Sequence, residues 1–296
     1  MSTKKVYQRV TDEILKSLKE GVIPWHQAWK NNGVFPRNLT SDREYHGTNW
    51  LILSSLGFAS PYFATFKQIK ESGGHVKKGV HSLPIIYADK IFVDSEGNRV
   101  KQAQKEEDGI RALPYIKQFL VFNLTQTEEV PTEKIPQPIK ADERPPVDKA
   151  EAIIDKFSNS QNSATIFHGC SLSSEGRVQA CYILERDEIT VPEKALFDSV
   201  EDYYSTLFHE MVHSTGHASR LARSLKGRDK INEYAFEELV AEIGSAYLSA
   251  RCGIAPATIE NSVSYISNWL KRFKSDSSYI VKASAAAQRA VDLIIG

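Results

Sequence analysis

Cysteine is scarce in this chain. Its 296 residues include only Cys170, Cys181 and Cys252, an odd number with no C-x-x-C pair. That argues against a disulfide framework or a zinc ribbon and reads as reduced, buried thiols of a cytoplasmic protein. Long hydrophobic runs are also missing. No segment reaches the roughly 18 apolar residues that a membrane span needs. Met1–Tyr7 has no apolar signal core. The expectation is therefore a cytoplasmic protein with no membrane partner. Net charge is absent as well: 37 basic residues balance 37 acidic ones, so the total says nothing about partners. No internal repeat is visible. What remains is ordinary globular material, 41% apolar and 25% charged, long enough for one large or two medium domains.

Against these absences stands one compact motif, His209-Glu210-Met211-Val212-His213. On an α-helix, positions i and i+4 lie about 40° apart, so the two histidines project from one face. Two neutral imidazoles so placed can bind one Zn²⁺. Glu210 sits about 100° around from His209, beside the metal site. There it can take a proton from an attacking water and pass it to a leaving amine. Val200–Phe208 reads as the opening turns of the same helix, and Gly216 ends it.

A hydrolytic zinc site needs a third protein ligand and an open position. A metzincin would place its third histidine at position 219, which is Ser219; His217 comes two residues too early. The alternative is a carboxylate from a second helix. Glu233–Ser245 is helical in pattern, and Glu238 and Glu242 share one face. This resembles the gluzincin arrangement. By that analogy Glu238 binds the metal and Glu242 accepts the free N–H of His209 or His213, although the two roles could be exchanged. Glu237 points about 100° away and is expected in solvent. Tyr234 and His217 are candidates for stabilising an oxyanion. Zn²⁺ suits these ligands, and Mn²⁺ or Co²⁺ could take the same site.

A compositional break lies between Thr125 and Lys149, where five prolines stand among alternating acids and bases. The expected division is a first domain at 1–125, a Pro-rich linker at 126–148 and a second domain at 149–296. In the first, helices are expected at 4–21, 48–56 and 65–72, and strands at Leu83–Tyr87, Lys90–Val93 and Tyr115–Asn123. In the second, short strands at Ala164–Phe167, Ala180–Ile183 and Glu188–Val191 precede the motif helix. Helices are expected at 148–158, near 258–274 and near 278–295. The fold class is α+β, with a small sheet followed by helices in the second domain.

The neutral total hides an asymmetry. Residues 1–80 hold 12 Lys/Arg against 6 Asp/Glu. The bases lie among aromatics such as Trp25, Trp29, Tyr45 and Phe66. Aromatic faces stack on unpaired bases and cations neutralise phosphates, which suggests a single-strand binder. Gly73–Gly79 is a glycine-flanked basic loop that could approach a phosphate.

Longer motifs then accumulate. They include Gly21-x-x-Pro24-Trp25-x-x-x-Trp29, Pro36-x-Asn38, Tyr45-x-Gly47-x-Asn49 and Thr65-Phe66-x-Gln68 in the first half. The second half has Asp187-x-Ile189-x-Val191-Pro192, Arg220-Leu221 and Tyr234-Ala235-x-Glu237-Glu238-Leu239-Val240-Ala241-Glu242. In these the chain resembles the ArdC antirestriction proteins of conjugative plasmids along nearly its full length. The resemblance implies an N-terminal domain that binds single-stranded DNA, fused to a zincin-like metallopeptidase domain. It also implies protection of plasmid DNA from host restriction. The expected DNA contacts are Trp25, Trp29, Arg37, Asn38, Tyr45, Asn49, Phe66, Lys67, Lys77 and Lys78. The expected partners are single-stranded DNA and a protein or peptide substrate, with the chain a monomer. A rival reading keeps the metal site for stability or regulation, with protection by DNA coating alone.

Overall fold

The computed structural model describes residues 3–20, 23–25, 34–100, 109–137, 142–161, 163–169, 171–172, 178–225, 231–254 and 262–296. The first helix, α1 (Thr3–Lys19), buries Val6, Val10, Ile14, Leu15 and Leu18, a stripe at helical spacing. Helix α2 (Gly47–Ser54) is apolar nearly all round and is buried from Trp50 to Ser54. Helix α3 (Phe66–Glu71) begins with a capping box between Thr65 and Gln68.

A five-stranded sheet carries these helices. Its order is β1 (Arg37–Asn38), β2 (Tyr62–Thr65), β6 (Arg111–Asn123), β4 (Leu83–Val93) and β5 (Arg99–Val100). Only the β1–β2 pair is parallel. The two strands expected at Leu83–Tyr87 and Lys90–Val93 form one. Ala88 and Asp89, polar enough in context to read as a break, stay in register with Ile116 and Tyr115. The backbone ladder carries the strand through them.

The proline-rich stretch begins by folding back. Strand β7 (Thr127–Glu128) pairs with β3 (His75–Val76). Val130 and Ile135 then pack on a small second core of Leu39, Tyr62, Ala64 and Ile69. Gly74 permits this: a Cβ there would meet Val130 Cγ2 at 2.4 Å.

Helix α4 (Pro146–Ser158) opens the second half. Strands β8 (Thr165–His168), β11 (Cys181–Ile183) and β12 (Glu188–Val191) form a sheet in the order β11-β12-β8. A separate two-stranded ribbon pairs β9 (Ser171–Leu172) with β10 (Val178–Gln179). Then come α5 (Val200–Ser214), α6 (Ile231–Cys252), α7 (Ser262–Ser275) and α8 (Tyr279–Ile295). Among the described residues no helix is long and apolar enough to cross a membrane.

The two halves share one core. Helix α6 runs through both. Its first turns face α5, while Tyr247 near its far end receives Phe35 and Trp50 at ring separations of 4.7 and 4.6 Å. Arg251 pairs with Glu44 and lies 4.0 Å over the Phe35 ring. Trp25 meets Trp269 edge-on at 5.4 Å.

Candidate metal centre

Helix α5 starts where the sequence dictates. The Ser199 hydroxyl accepts from the Asp202 N–H, and Glu201 and Asp202 face the positive end of the helix dipole. Its buried face, Tyr203, Tyr204, Leu207, Phe208, Met211 and Val212, fixes the helix against the sheet and α6. Gly244 sets the α5–α6 separation, because a Cβ there would lie 2.8 Å from Val212 Cγ2. Bulkier residues at 244 would push α6, and Glu238 with it, away from the histidines.

At that separation His209, His213 and Glu238 come together; their donor atoms lie within 4.8 Å of one another. The imidazole Nε2 atoms stand 3.0 Å apart, and each is 3.6 Å from a Glu238 oxygen. Bonds of about 2.0–2.1 Å in a tetrahedron place ligand atoms about 3.3–3.4 Å apart, so this triangle fits one small divalent ion. The electrostatics fit as well. Burial disfavours the imidazolium of His209, yet the hydrogen bond to Glu238 and the charges of Glu210, Glu238 and Glu242 outweigh it and hold His209 at about 9. Burial likewise opposes charge on Glu238, but its bonds to His209 and the Tyr234 hydroxyl, together with the charges of His213 and His209, pull it down to about 2. A field that retains a proton so strongly is suited to a cation.

The surrounding contacts correct the sequence reading at one carboxylate. Glu237, expected in solvent, is only 5% exposed. Its Oε1 faces His213 Nδ1 at 3.4 Å, and Arg223 donates to both of its oxygens at 3.0 and 2.7 Å. The same guanidinium donates to the Thr215 hydroxyl and the Val212 carbonyl, closing the end of α5. The carboxylate that orients His213 is therefore Glu237. The helical-wheel argument failed because it treated 100° from Glu238 as solvent. The returning loop with Arg223 covers that side, and no local signal announces it. Glu242 lies one turn beyond Glu238, nearly buried, and contributes negative charge at His209.

Glu210 stands beside the triangle. Its Oε2 accepts the Tyr182 N–H of β11 at 2.8 Å, so a sheet edge fixes the carboxylate. His217 lies in the turn after α5, bonded to the Ser219 hydroxyl and 4.0 Å from Asp187. Asp187 accepts from Arg220 and from the Tyr182 hydroxyl, and the Arg220 bond is the main cause that holds its carboxyl below the usual range. Tyr182, Asp187, Arg220 and Arg223 had no assigned role in the sequence. Asp187 and Arg220 lay within its longer motifs and could have been flagged there.

The expected DNA contacts fall into three groups. Arg37, Asn38 and Tyr45 meet beside the start of α3: Asn38 donates to Tyr45 and Gln68, and Arg37 pairs with Glu44. Phe66 is 60% exposed on α3, next to Lys67, and Lys78 is exposed beyond β3. Lys77 reaches the Thr125 carbonyl. Trp25 and Asn49 hold the fold instead. Trp25 is fully buried against Trp269 and has no face left for a base. Asn49 spends its amide on the Ile86 backbone, donating and accepting at 2.7 Å. Trp29 lies outside the described residues.

Known proteins resemble both halves of the chain. Residues 4–122 match the N-terminal domain of anti-restriction factor ArdC, and residues 162–286 match a zincin-like metallopeptidase family. The chain is 31% identical over 99% of its length to the DNA primase TraC of Escherichia coli, of which it spans 27%. The metal-free crystal structure of the antirestriction protein ArdC from the R388 plasmid superposes with a TM-score of 0.72 at 33% identity, covering 97% of this chain and 96% of that one. The Mn(II)-bound structure of the same protein gives 0.71 at the same identity and coverage. The chain belongs to the ArdC-type antirestriction family, its N-terminal domain joined to a zincin-like metallopeptidase domain.

Proposed function

We propose that this protein protects incoming single-stranded plasmid DNA from restriction and carries a metal-dependent peptidase site that acts on DNA-associated proteins. The observation that carries the hydrolytic part is the triangle of His209, His213 and Glu238 with Glu210 fixed beside it. When bound there, Zn²⁺, or Mn²⁺ as in the crystallised relative, supplies a Lewis acid that polarises a carbonyl and acidifies water. Glu237 orients His213 through Nδ1, and the Tyr234 hydroxyl steadies Glu238. Glu210 takes the proton of the attacking water and returns it to the leaving amine. The Tyr182 N–H keeps its carboxylate aimed at that point. Among the described residues no strand pairs with the outer edge of β11 in the order β11-β12-β8, and beyond the Tyr182 N–H that holds Glu210 an extended peptide would add there as a further strand.

The DNA-binding part draws support from the ArdC and TraC relatives and from the exposed Phe66, Lys67 and Lys78. Tethering the peptidase to DNA would raise the local concentration of DNA-bound protein substrates. The domain division at 1–125 and 149–296 belongs to this reading. The test is a Glu210→Gln variant with its metal content measured. Loss of peptide cleavage and of DNA protection together is expected. Full protection at full metal content would remove hydrolysis from the antirestriction role.

A further inference from the structure

Strand β4 pairs with β6 along its whole length, and the outer half of this pair, the arm, is exposed from Tyr87 to Lys90. At its base one face packs Leu83, Ile85 and Val121 into the core. The register carries the same face outward through the pairs Ile85–Phe119, Tyr87–Lys117, Asp89–Tyr115, Ile91–Leu113 and Val93–Arg111. Arg99 of β5 joins the last row. Between the core and the outer row, where Val93 is buried again, this face is open: Tyr87 is 49% exposed and Leu113 44%. Tyr87 and Phe119 meet edge-on at 6.3 Å, and the Lys117 ammonium lies 4.8 Å over the Phe119 ring.

The geometry points to this face as a track for single-stranded DNA, with Tyr87 and its neighbouring rings taking bases and Lys117, Arg99 and Arg111 taking phosphates. The inference rests on the DNA-binding reading above and assigns it residues outside the expected set. Three observations select this occupant. The face combines π surfaces with cations, the pairing that holds unpaired strands without reading sequence. Its charge is complementary: among the described residues of these rows Arg99, Arg111 and Lys117 stand against one carboxylate, Asp89, whose oxygens already take the Tyr87 hydroxyl and the Lys90 N–H. Its rows repeat about every 6.8 Å along the strand, close to the reach of a stretched nucleotide. The sequence reading looked to the aromatics of residues 1–80 instead, and Trp25 among them is a core residue.

The test is anisotropy of a dye-labelled oligo-dT with the full chain. Tyr87→Ala should weaken binding about 5- to 150-fold, and Tyr87→Phe, which keeps the ring, should bind as wild type does. Lys117→Ala should lower the slope of log affinity against log salt by about 0.7. Wild-type binding with unchanged affinity and slope in Tyr87→Ala and Lys117→Ala would overturn the arm assignment and leave DNA binding standing. No binding by wild type would bring down the DNA reading and the arm with it. If Tyr87→Ala instead splits a dimer, with DNA affinity unchanged, the face belongs to a second copy of the chain and the assignment fails.

Discussion

The metal centre and the β4/β6 arm hold their functional side chains in opposite ways. In the metal centre three of the four side chains are held twice. His213 is fixed by α5 and by Glu237, Glu238 by α6 and by Tyr234, Glu210 by α5 and by the edge of β11. Behind them stand fully buried residues such as Leu207, Met211 and Leu239. On the arm, Tyr87 and Lys117 are held by the backbone ladder and by exposed neighbours, Asp89 for the one and the Phe119 ring for both. The difference follows from the chemistry each would perform. An ion tolerates a few tenths of an ångström in its ligands. A flexible strand of nucleic acid adapts to a ladder of rings and cations.

Four changes would break or sharpen that contrast. The largest effect belongs to Glu238→Ala, which removes one of the three converging ligands. Metal retained by the purified protein should fall to background in elemental analysis, and undiminished metal would move the third ligand to Glu242. Next is a matched pair of truncations followed by urea unfolding. Leu207→Ala, behind the metal centre, should cost about 2–5 kcal/mol. Leu113→Ala, on the arm, should cost under about 0.5 kcal/mol. Equal losses would mean that the arm is packed as firmly as the core. Third, Glu237→Gln should weaken metal binding about 10- to 100-fold in a chelator competition while leaving the fold intact. The smallest is a pH effect at Asp187. Its folded carboxyl titrates below its ordinary value of 3.8, chiefly through Arg220. Its contribution to stability is therefore complete above that value and is lost as pH falls below it. Asp187→Asn should flatten the acid limb of the stability profile and leave the neutral region with only the loss of the ion pair.

Much of the fold could be read from local pattern, because helices such as α1 and α8 have their buried stripes written at helical spacing. The pairing of the two histidines could be read for the same reason. What could not be read depends on distant segments arriving at one place. Glu237 is a solvent residue on an isolated helix and becomes a buried partner of His213 only when Arg223 closes over it. Trp25 looks like a stacking platform until Trp269, more than two hundred residues later, covers it. The arm was hidden by the opposite effect. Tyr87 and Phe119 sit in runs that read as ordinary half-buried strand, and their exposure depends on where α1 and α2 stop covering the sheet.

Helix α6 has a consequence for how such proteins can be taken apart. Its early turns bear Glu237, Glu238 and Glu242, while Tyr247 and Arg251 near its end are clasped by Phe35, Trp50 and Glu44 from the other half. A cut between the halves would leave this helix with a bare aromatic flank and an unpaired Arg251 at its far end. The transferable unit is therefore the pair. That agrees with the match to TraC, which extends over 99% of this chain as one block within a much longer protein.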